Sequence, residues 1–231
     1  SGVYVDTKYD YNTGLAKETT DSASRTTTMT YDLMNRSLQT TYPNTGFTSY
    51  SYNDTALTAT KQVKVDSSGN VGQVKTYFDG LYREIKKETS DPAGNIFVET
   101  QYDDKGRKWK VSNPYRSGET VVWTQFQYDG TDRPTVTTAP DSSTVQYAYS
   151  SNTTTVTDEA NNQRRYTYNA QGAMTKVEEP SPTLATPLVT TYTYNPVGKM
   201  TQSTQGSQTR TWAFDSLGRM TSQKVSEELG Q

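Results

Sequence analysis

The chain has no cysteine and no histidine among its 231 residues. Without thiols there are no disulfides, no thiolate nucleophile and no zinc-thiolate centre, and without imidazole the usual general base of a catalytic triad is missing. Aliphatic bulk is scarce too, with nine Leu, two Ile and 17 Val. No stretch approaches the roughly 18 apolar residues of a membrane-spanning helix. An excess of charge of one sign is also lacking. With 23 cations against 25 anions the net charge is -2, so no clustered positive field marks nucleic acid or an anionic membrane as a partner. The densest basic stretch, Lys105 to Val111, reads as a solvated strand. No secretion-signal pattern opens at Ser1, and any export signal is expected to lie outside this sequence.

What the chain has instead is tyrosine, threonine and repetition. Its 18 Tyr, three Trp and five Phe supply large side chains that favour strands. An aromatic followed by Asp or Asn recurs at Tyr11, Tyr31, Tyr52, Phe78, Tyr102, Tyr128, Tyr149, Tyr168, Tyr194 and Phe214, at spacings of 19 to 26 residues, with Ser150 replacing the acid in the Tyr149 copy. The clearest copies read YDLMNR, FDGLYR, YDDKGR, YDGTDR, YNPVGK and FDSLGR, each with a cation five residues past the aromatic: Arg36, Arg83, Arg107, Arg133, Lys199 and Arg219.

Each position of this unit has a mechanical reason. An Asp or Asn just after a strand accepts amide hydrogen bonds from a turn, and a Gly, Asn or Asp four past the aromatic adopts the positive φ that such a loop needs. Gly106, Gly172, Gly198, Gly218, Asn35 and Asp132 satisfy that demand. Tyr82 does not, so the Phe78 copy is expected to turn differently. A second aromatic two residues before the anchor, as at Tyr9, Tyr50, Phe126, Tyr147, Tyr166, Tyr192 and Trp212, lies on the same strand face. Between anchors come further turn signals: Pro43 to Gly46, Asp66 to Asn70, Asp91 to Asn95, Asp158 to Asn162 and Thr204 to Gln208. Every unit therefore reads strand, turn, strand, turn, a β-hairpin laid beside its neighbours. The expected fold is all-β: about ten antiparallel hairpins in a continuous, twisted, spiralling sheet over residues 1–231, bulged at the Gly and Asn positions to help it curve. Glu179 to Pro187 reads as an elongated loop, and Ser226 to Gln231 as a frayed end.

Tyr-Asp followed by Gly-Arg at a twenty-odd-residue period resembles the YD repeat of RHS-repeat proteins along essentially the whole chain. The resemblance implies part of a hollow β-shell, from a larger secreted or cell-surface bacterial protein such as a polymorphic-toxin carrier, a toxin-complex subunit or a wall-associated protein. Teneurins are animal members. It further implies a wall that encapsulates and presents a C-terminal toxin or other polypeptide, with the rest of the parent protein as partner. Nothing in the sequence matches the segment that closes the family's shell and self-cleaves at an aspartate. Asp91 to Gly94 resembles its Asp-Pro-x-Gly fragment but stands where an ordinary turn belongs.

No catalytic, cofactor-binding or metal-binding residue is expected, and no enzymatic activity. Asp32, Asp79, Asp103, Asp129 and Asp215 share one turn slot, and a residue that recurs once per unit shapes the unit. The pairs Asp103-Asp104, Asp158-Glu159 and Glu178-Glu179 read as exposed turn charges, and Asp66 to Asn70 lacks the acidic spacing of a calcium loop. Asn35, Asn53 and Asn152 head N-x-Ser/Thr sequons, which a bacterial origin would leave unused. The cations five past the anchors are expected to pair with turn carboxylates of neighbouring units. A second function to weigh is glycan or receptor binding: aromatics on the polar face of a sheet stack on sugar rings. Ligand-face aromatics should be exposed, whereas rings forming a cross-strand ladder should be packed. Unpaired terminal edges are expected to favour self-association.

Overall fold

The computed structural model describes residues 4–64, 69, 71–180 and 186–227. Expectations for Asp66 to Asn70, for most of Glu179 to Pro187 and for the last four residues fall largely outside these. Among the described residues there is no helix, and every strand pairs antiparallel. The chain divides into two compact units, residues 1–124 and 125–231. The first holds β1 (Val5–Tyr9), β2 (Ala16–Asp21), β3 (Thr26–Tyr31), β4 (Ser37–Thr41), β5 (Phe47–Asn53) and β6 (Thr58–Lys64). It continues through β7 (Val71–Phe78), β8 (Glu84–Thr89), β9 (Ile96–Tyr102), β10 (Lys108–Ser112) and the short β11 (Tyr115–Arg116). The second comprises β12 (Trp123–Tyr128), β13 (Pro134–Thr138), β14 (Thr144–Ser150), β15 (Thr153–Thr157) and β16 (Gln163–Tyr168). It ends with β17 (Met174–Glu179), β18 (Leu188–Tyr194), β19 (Met200–Gln205), β20 (Gln208–Phe214) and β21 (Met220–Glu227).

Within each unit, successive strands pair in sequence order, so each is a meander of hairpins. Strands of five to eight residues are saturated with Thr, Val and Tyr, residues whose branched or planar side chains fit a pleated surface. Only β9 departs, sharing one flank between β10 and β11. Where β10 leaves it, the Glu99 amide bonds the Ser112 hydroxyl at 2.8 Å in place of a strand carbonyl. Burial is shallow. Among the described residues Val177 is the only buried apolar side chain, opposite Tyr166 on one side and Thr190 on the other.

The turns carry the regularity. After Tyr31 the Asp32 amide bonds the Arg36 carbonyl at 2.9 Å and the Asn35 amide bonds the Asp32 carbonyl at 3.0 Å, with Asn35 at φ 62°. The same pair of bonds closes the loops after Phe78, Tyr102, Tyr128, Tyr168, Tyr194 and Phe214. It also closes the opposite turns at Asp21 to Arg25, Ala139 to Ser143 and Asp158 to Asn162. The anchors Tyr52 and Tyr149 lead instead into Asn53 facing Thr58 and Ser150 facing Thr153, without a register shift.

Three expectations are corrected here. The first anchor is Tyr9, not Tyr11: β1 ends at Tyr9, Asp10 caps the Asn12 and Thr13 amides, and Tyr11 stands 99% exposed in a loop one residue longer than the others. The bulges lie not at Gly or Asn but in the outgoing strand. Tyr31 faces Ser37 while Thr30 faces Gln39, so Leu38 is the extra residue, and Ile85, Trp109, Thr135, Thr175, Thr201 and Thr221 hold its place elsewhere. A left-handed residue followed by an extra one is the bulge such loops need to rejoin the ladder.

The Phe78 turn, thirdly, is no exception. Asp79 bonds the Arg83 carbonyl at 3.0 Å as elsewhere, and Tyr82 is driven to φ 58°. Two hydrogen bonds outweigh the about 1–2 kcal/mol that a side chain costs in the left-handed region. Since Tyr82 is 66% exposed, Tyr82→Gly should relieve that strain with little loss of packing. Allowing for the freer unfolded chain, it should stabilise by about 0.5–1 kcal/mol and raise Tm by about 2 °C. Calorimetry of the two proteins checks it, and a lower Tm would contradict the strain.

Candidate functional site

The recurring polar residues converge on one device. In the Tyr31 turn the Asp32 carboxylate accepts the Met34 and Arg36 amides through Oδ1, both at 2.9 Å, and the Arg36 Nε through Oδ2 at 2.7 Å. Asp79, Asp103, Asp129 and Asp215 repeat this clasp with Arg83, Arg107, Arg133 and Arg219. Asp21 repeats it with Arg25 on the other side of the sheet. Where the turn residue is Asn169 or Asn195, no second carboxylate oxygen exists to hold a guanidinium, and the partner position carries Ala173 or Lys199. The cation thus pairs within its own turn, correcting the expectation of pairing between units. Its amide already lies at the Asp, so the guanidinium needs no reach. Arg36 does both, gripping Asp54 at 2.7 Å as well; the hydrogen bonds it donates to Asp54 first and to Asp32 second hold it protonated beyond the ordinary arginine range.

These contacts set the electrostatics. Asp79 and Asp215 are held below the usual carboxyl value chiefly by the Arg83 and Arg219 amides, and Asp21 chiefly by the Arg25 side chain. For Asp32, Asp103 and Asp129 the largest single influence is desolvation, which raises them, but the combined hydrogen bonds prevail and each ends lowered.

The cation also joins one hairpin to the next. The guanidinium carbons of Arg36, Arg83 and Arg133 lie 4.2, 4.4 and 4.3 Å above the rings of Tyr52, Tyr102 and Tyr149, each the next anchor along the chain. Each of those tyrosines donates its hydroxyl to the carbonyl just beyond the cation: Ser37, Glu84 and Pro134, at 3.0, 2.9 and 2.8 Å. Tyr31 and Tyr194 do the same to Ala16 and Met174. The anchor tyrosine is therefore a hook on the preceding turn. Removing only the hook, as in Tyr102→Phe, should cost about 1 kcal/mol for a half-buried hydrogen bond, read as a lower Tm with an unchanged β signal. An unchanged Tm would show that the hydroxyl is not needed.

The aromatic face is half-buried, between the two outcomes foreseen for it. Tyr50, Phe126, Tyr147, Tyr166, Tyr192 and Trp212 are neither fully packed nor free. Trp109 differs, being 44% exposed beside a groove of about 560 Å³ that Arg83, Lys86, Glu99 and Tyr102 also line. Glu178 and Glu179 are not turn charges. They stand in β17, where Glu178 lies 3.2 Å from Lys176 and Glu179 lies 3.2 Å from Arg164, because the register sets Arg165 and Arg164 beside them. Asp91 sits in a plain turn, accepting the Ala93 amide at 3.0 Å and Arg116 at 2.9 Å. No group of three acidic residues converges as a metal site among the described residues.

The sequence matches no protein-family model and no curated protein. Solved structures do match. The TcdB2-TccC3 crystal structure without its hypervariable C-terminal region aligns over 97% of this chain and 15% of its own, at 13% identity and TM-score 0.67. A TccC3-mutant Tc holotoxin pore of Photorhabdus luminescens aligns over 97% and 16%, at 13% identity and TM-score 0.57. TcdB2-TccC3-Cdc42 aligns over 95% and 16%, at 12% identity and TM-score 0.60. This chain thus spans about a sixth of each of those chains. The hairpin array that the YD motif implies is the fold of part of these toxin-complex chains.

Proposed function

We propose that the chain is a non-enzymatic wall segment, one repeat array over residues 1–231 of a larger secreted or surface protein that encloses and presents another polypeptide. The observation that carries this reading is the use made of the recurrent polar groups. The Asp and Arg of each Asp–Arg turn close that turn, and the hydroxyls of Tyr31, Tyr52, Tyr102, Tyr149 and Tyr194 hook one hairpin to the one before, so the repeated chemistry serves to shape and join the hairpins. The fold shared with toxin-complex chains is consistent with it. The test is proteolysis of the longest natural product of the gene that carries this chain. A segment outside the repeats should survive protease until urea opens the sheet, and uniform digestion from the outset would defeat the reading.

A second reading, a glycan-contacting surface, draws on Trp109 alone. An exposed indole beside Glu99, Lys86 and Arg83 combines a stacking face with hydrogen-bonding groups. Binding to a glycan panel that Trp109→Ala abolishes would favour it over a purely structural wall.

A further inference from the structure

Two joints between hairpins, one in each unit, are built from the same places of the repeat. At Tyr102 in the first unit, Asp79, Arg83, Ile85, Thr100 and Tyr102 line the groove of about 560 Å³ already described. At Tyr194 in the second, their counterparts Asn169, Ala173, Thr175, Tyr192 and Tyr194 line a groove of about 390 Å³. The hook is common to both, since the Tyr102 hydroxyl meets the Glu84 carbonyl at 2.9 Å and the Tyr194 hydroxyl meets that of Met174 at 2.6 Å. The cation is not. Arg83 lies 4.4 Å above the Tyr102 ring, whereas Ala173 ends at its methyl group and, among the described residues, no cation covers Tyr194. The following turn registers the same difference. A Cβ at Gly106 would lie 3.0 Å from Arg83 and one at Gly218 would lie 3.7 Å from Lys199, but one at Gly198 would meet nothing within 4 Å.

The polarity of the joint changes with its shape. Asp79 takes the Arg83 amide on Oδ1 and the Arg83 Nε on Oδ2. In the Tyr168 turn, Oδ1 of Asn169 takes the Gln171 and Ala173 amides at 3.1 and 2.9 Å. That fixes the carboxamide, and its NH2 group, a donor, stands where Asp79 offers an acceptor. A guanidinium carries donors only, so Asn169 turns away the group that its counterparts hold. No charged side chain lines the groove. An uncovered tyrosine ring beside amide groups suits a neutral ring that bears oxygens, and the volume falls in the range of about 300–1,000 Å³ usual for small-molecule sites.

We propose that the Tyr194 joint is a binding site for a neutral sugar ring, a pyranose whose C–H face lies on Tyr194 and whose oxygens accept hydrogen bonds from the Asn169 amide. It stands on the second unit alone and does not rest on the Trp109 reading.

The test is saturation-transfer NMR with methyl glycosides of glucose, galactose, mannose and N-acetylglucosamine, and with arginine amide as a cationic probe. At least one glycoside should bind wild type with a Kd of about 1 mM, the order that a ligand of this size reaches, and Trp109→Ala should leave that value unchanged. Ala173→Arg combined with Asn169→Asp rebuilds the clasp, sets a guanidinium over Tyr194 and should weaken binding about tenfold or more. Ala173→Gln, a neutral side chain of similar reach beside an unchanged Asn169, should weaken it likewise. Arginine amide should bind wild type about tenfold more weakly than the glycoside. No saturable binding of any glycoside up to about 10 mM, binding that neither Ala173 variant weakens, or arginine amide held as tightly as the sugar would each overturn the proposal. Sugar binding lost in Trp109→Ala but kept in both Ala173 variants would overturn it while upholding the Trp109 reading.

Discussion

Replacing Gly106 by Val should lower Tm more than the same change at Gly172 or Gly198. All three glycines have φ near 80°, so each substitution incurs about 1–3 kcal/mol of backbone strain. At Gly172 and Gly198 a Cβ would meet nothing within 4 Å, but at Gly106 it would lie 3.0 Å from Nη1 of Arg83. That guanidinium is not free to retreat, since Asp79 holds it from one side and the Tyr102 ring lies against it. Loss of the stacked cation adds about 0.5–1 kcal/mol. Gly106→Val should therefore cost about 3 kcal/mol, a fall of roughly 6–12 °C for a chain of this size. Gly218→Val should in turn exceed Asp215→Ala, because the alanine loses local hydrogen bonds without forcing the backbone. Denaturation midpoints of the five variants decide it; equal shifts at Gly106 and Gly198 would mean that Arg83 yields freely.

Acid should unfold the protein from a pH well below neutrality, and abruptly. Asp21, Asp32, Asp79, Asp103, Asp129 and Asp215 are all lowered from the ordinary carboxyl value of 3.8. A carboxyl whose folded value is lowered adds stability above its unfolded value and withdraws it as pH falls through the folded one. Since all six are lowered, every one of these losses falls on the acid side of the ordinary carboxyl value. With no histidine in the chain, no side chain of ordinary pKa changes charge between about pH 5 and 8. Tm should accordingly be flat from about pH 8 to 5 and fall steeply below about pH 4. Asp129→Asn should make that fall shallower. A marked decline between pH 7 and 5 would show that other groups govern stability.

The hairpin period, the strand face shared by Tyr192 and Tyr194, and the turn slots of Asp32 and Asp215 were legible in the sequence because each rests on a local rule: alternation along a strand, or an Asp capping its own turn. Turns were missed where an unusual residue takes the left-handed position. Asp21 to Arg25 and Ala139 to Ser143 use Ser24 at φ 61° and Ser142 at φ 71°, and serine gives no warning of that conformation. Tyr11 imitates an anchor because it too precedes an amide-bearing residue; only the strand end at Tyr9 separates the two. The hooks were not legible at all. That Arg83 closes its own turn yet also covers the ring of Tyr102 depends on register between strands, which a spacing along one chain does not reveal.

The near absence of buried apolar side chains has a thermal consequence. Exposure of apolar surface is what gives unfolding its positive heat-capacity change, and exposed polar surface opposes it. A chain whose only described buried aliphatic is Val177, and whose strands are joined by amides, hydroxyls and guanidinium groups, releases little of the first and much of the second. Its heat-capacity increment per residue should fall below the usual value of about 12–15 cal/mol/K. The curve of free energy against temperature then flattens, and cold, which loosens ordinary cores, has little here to loosen.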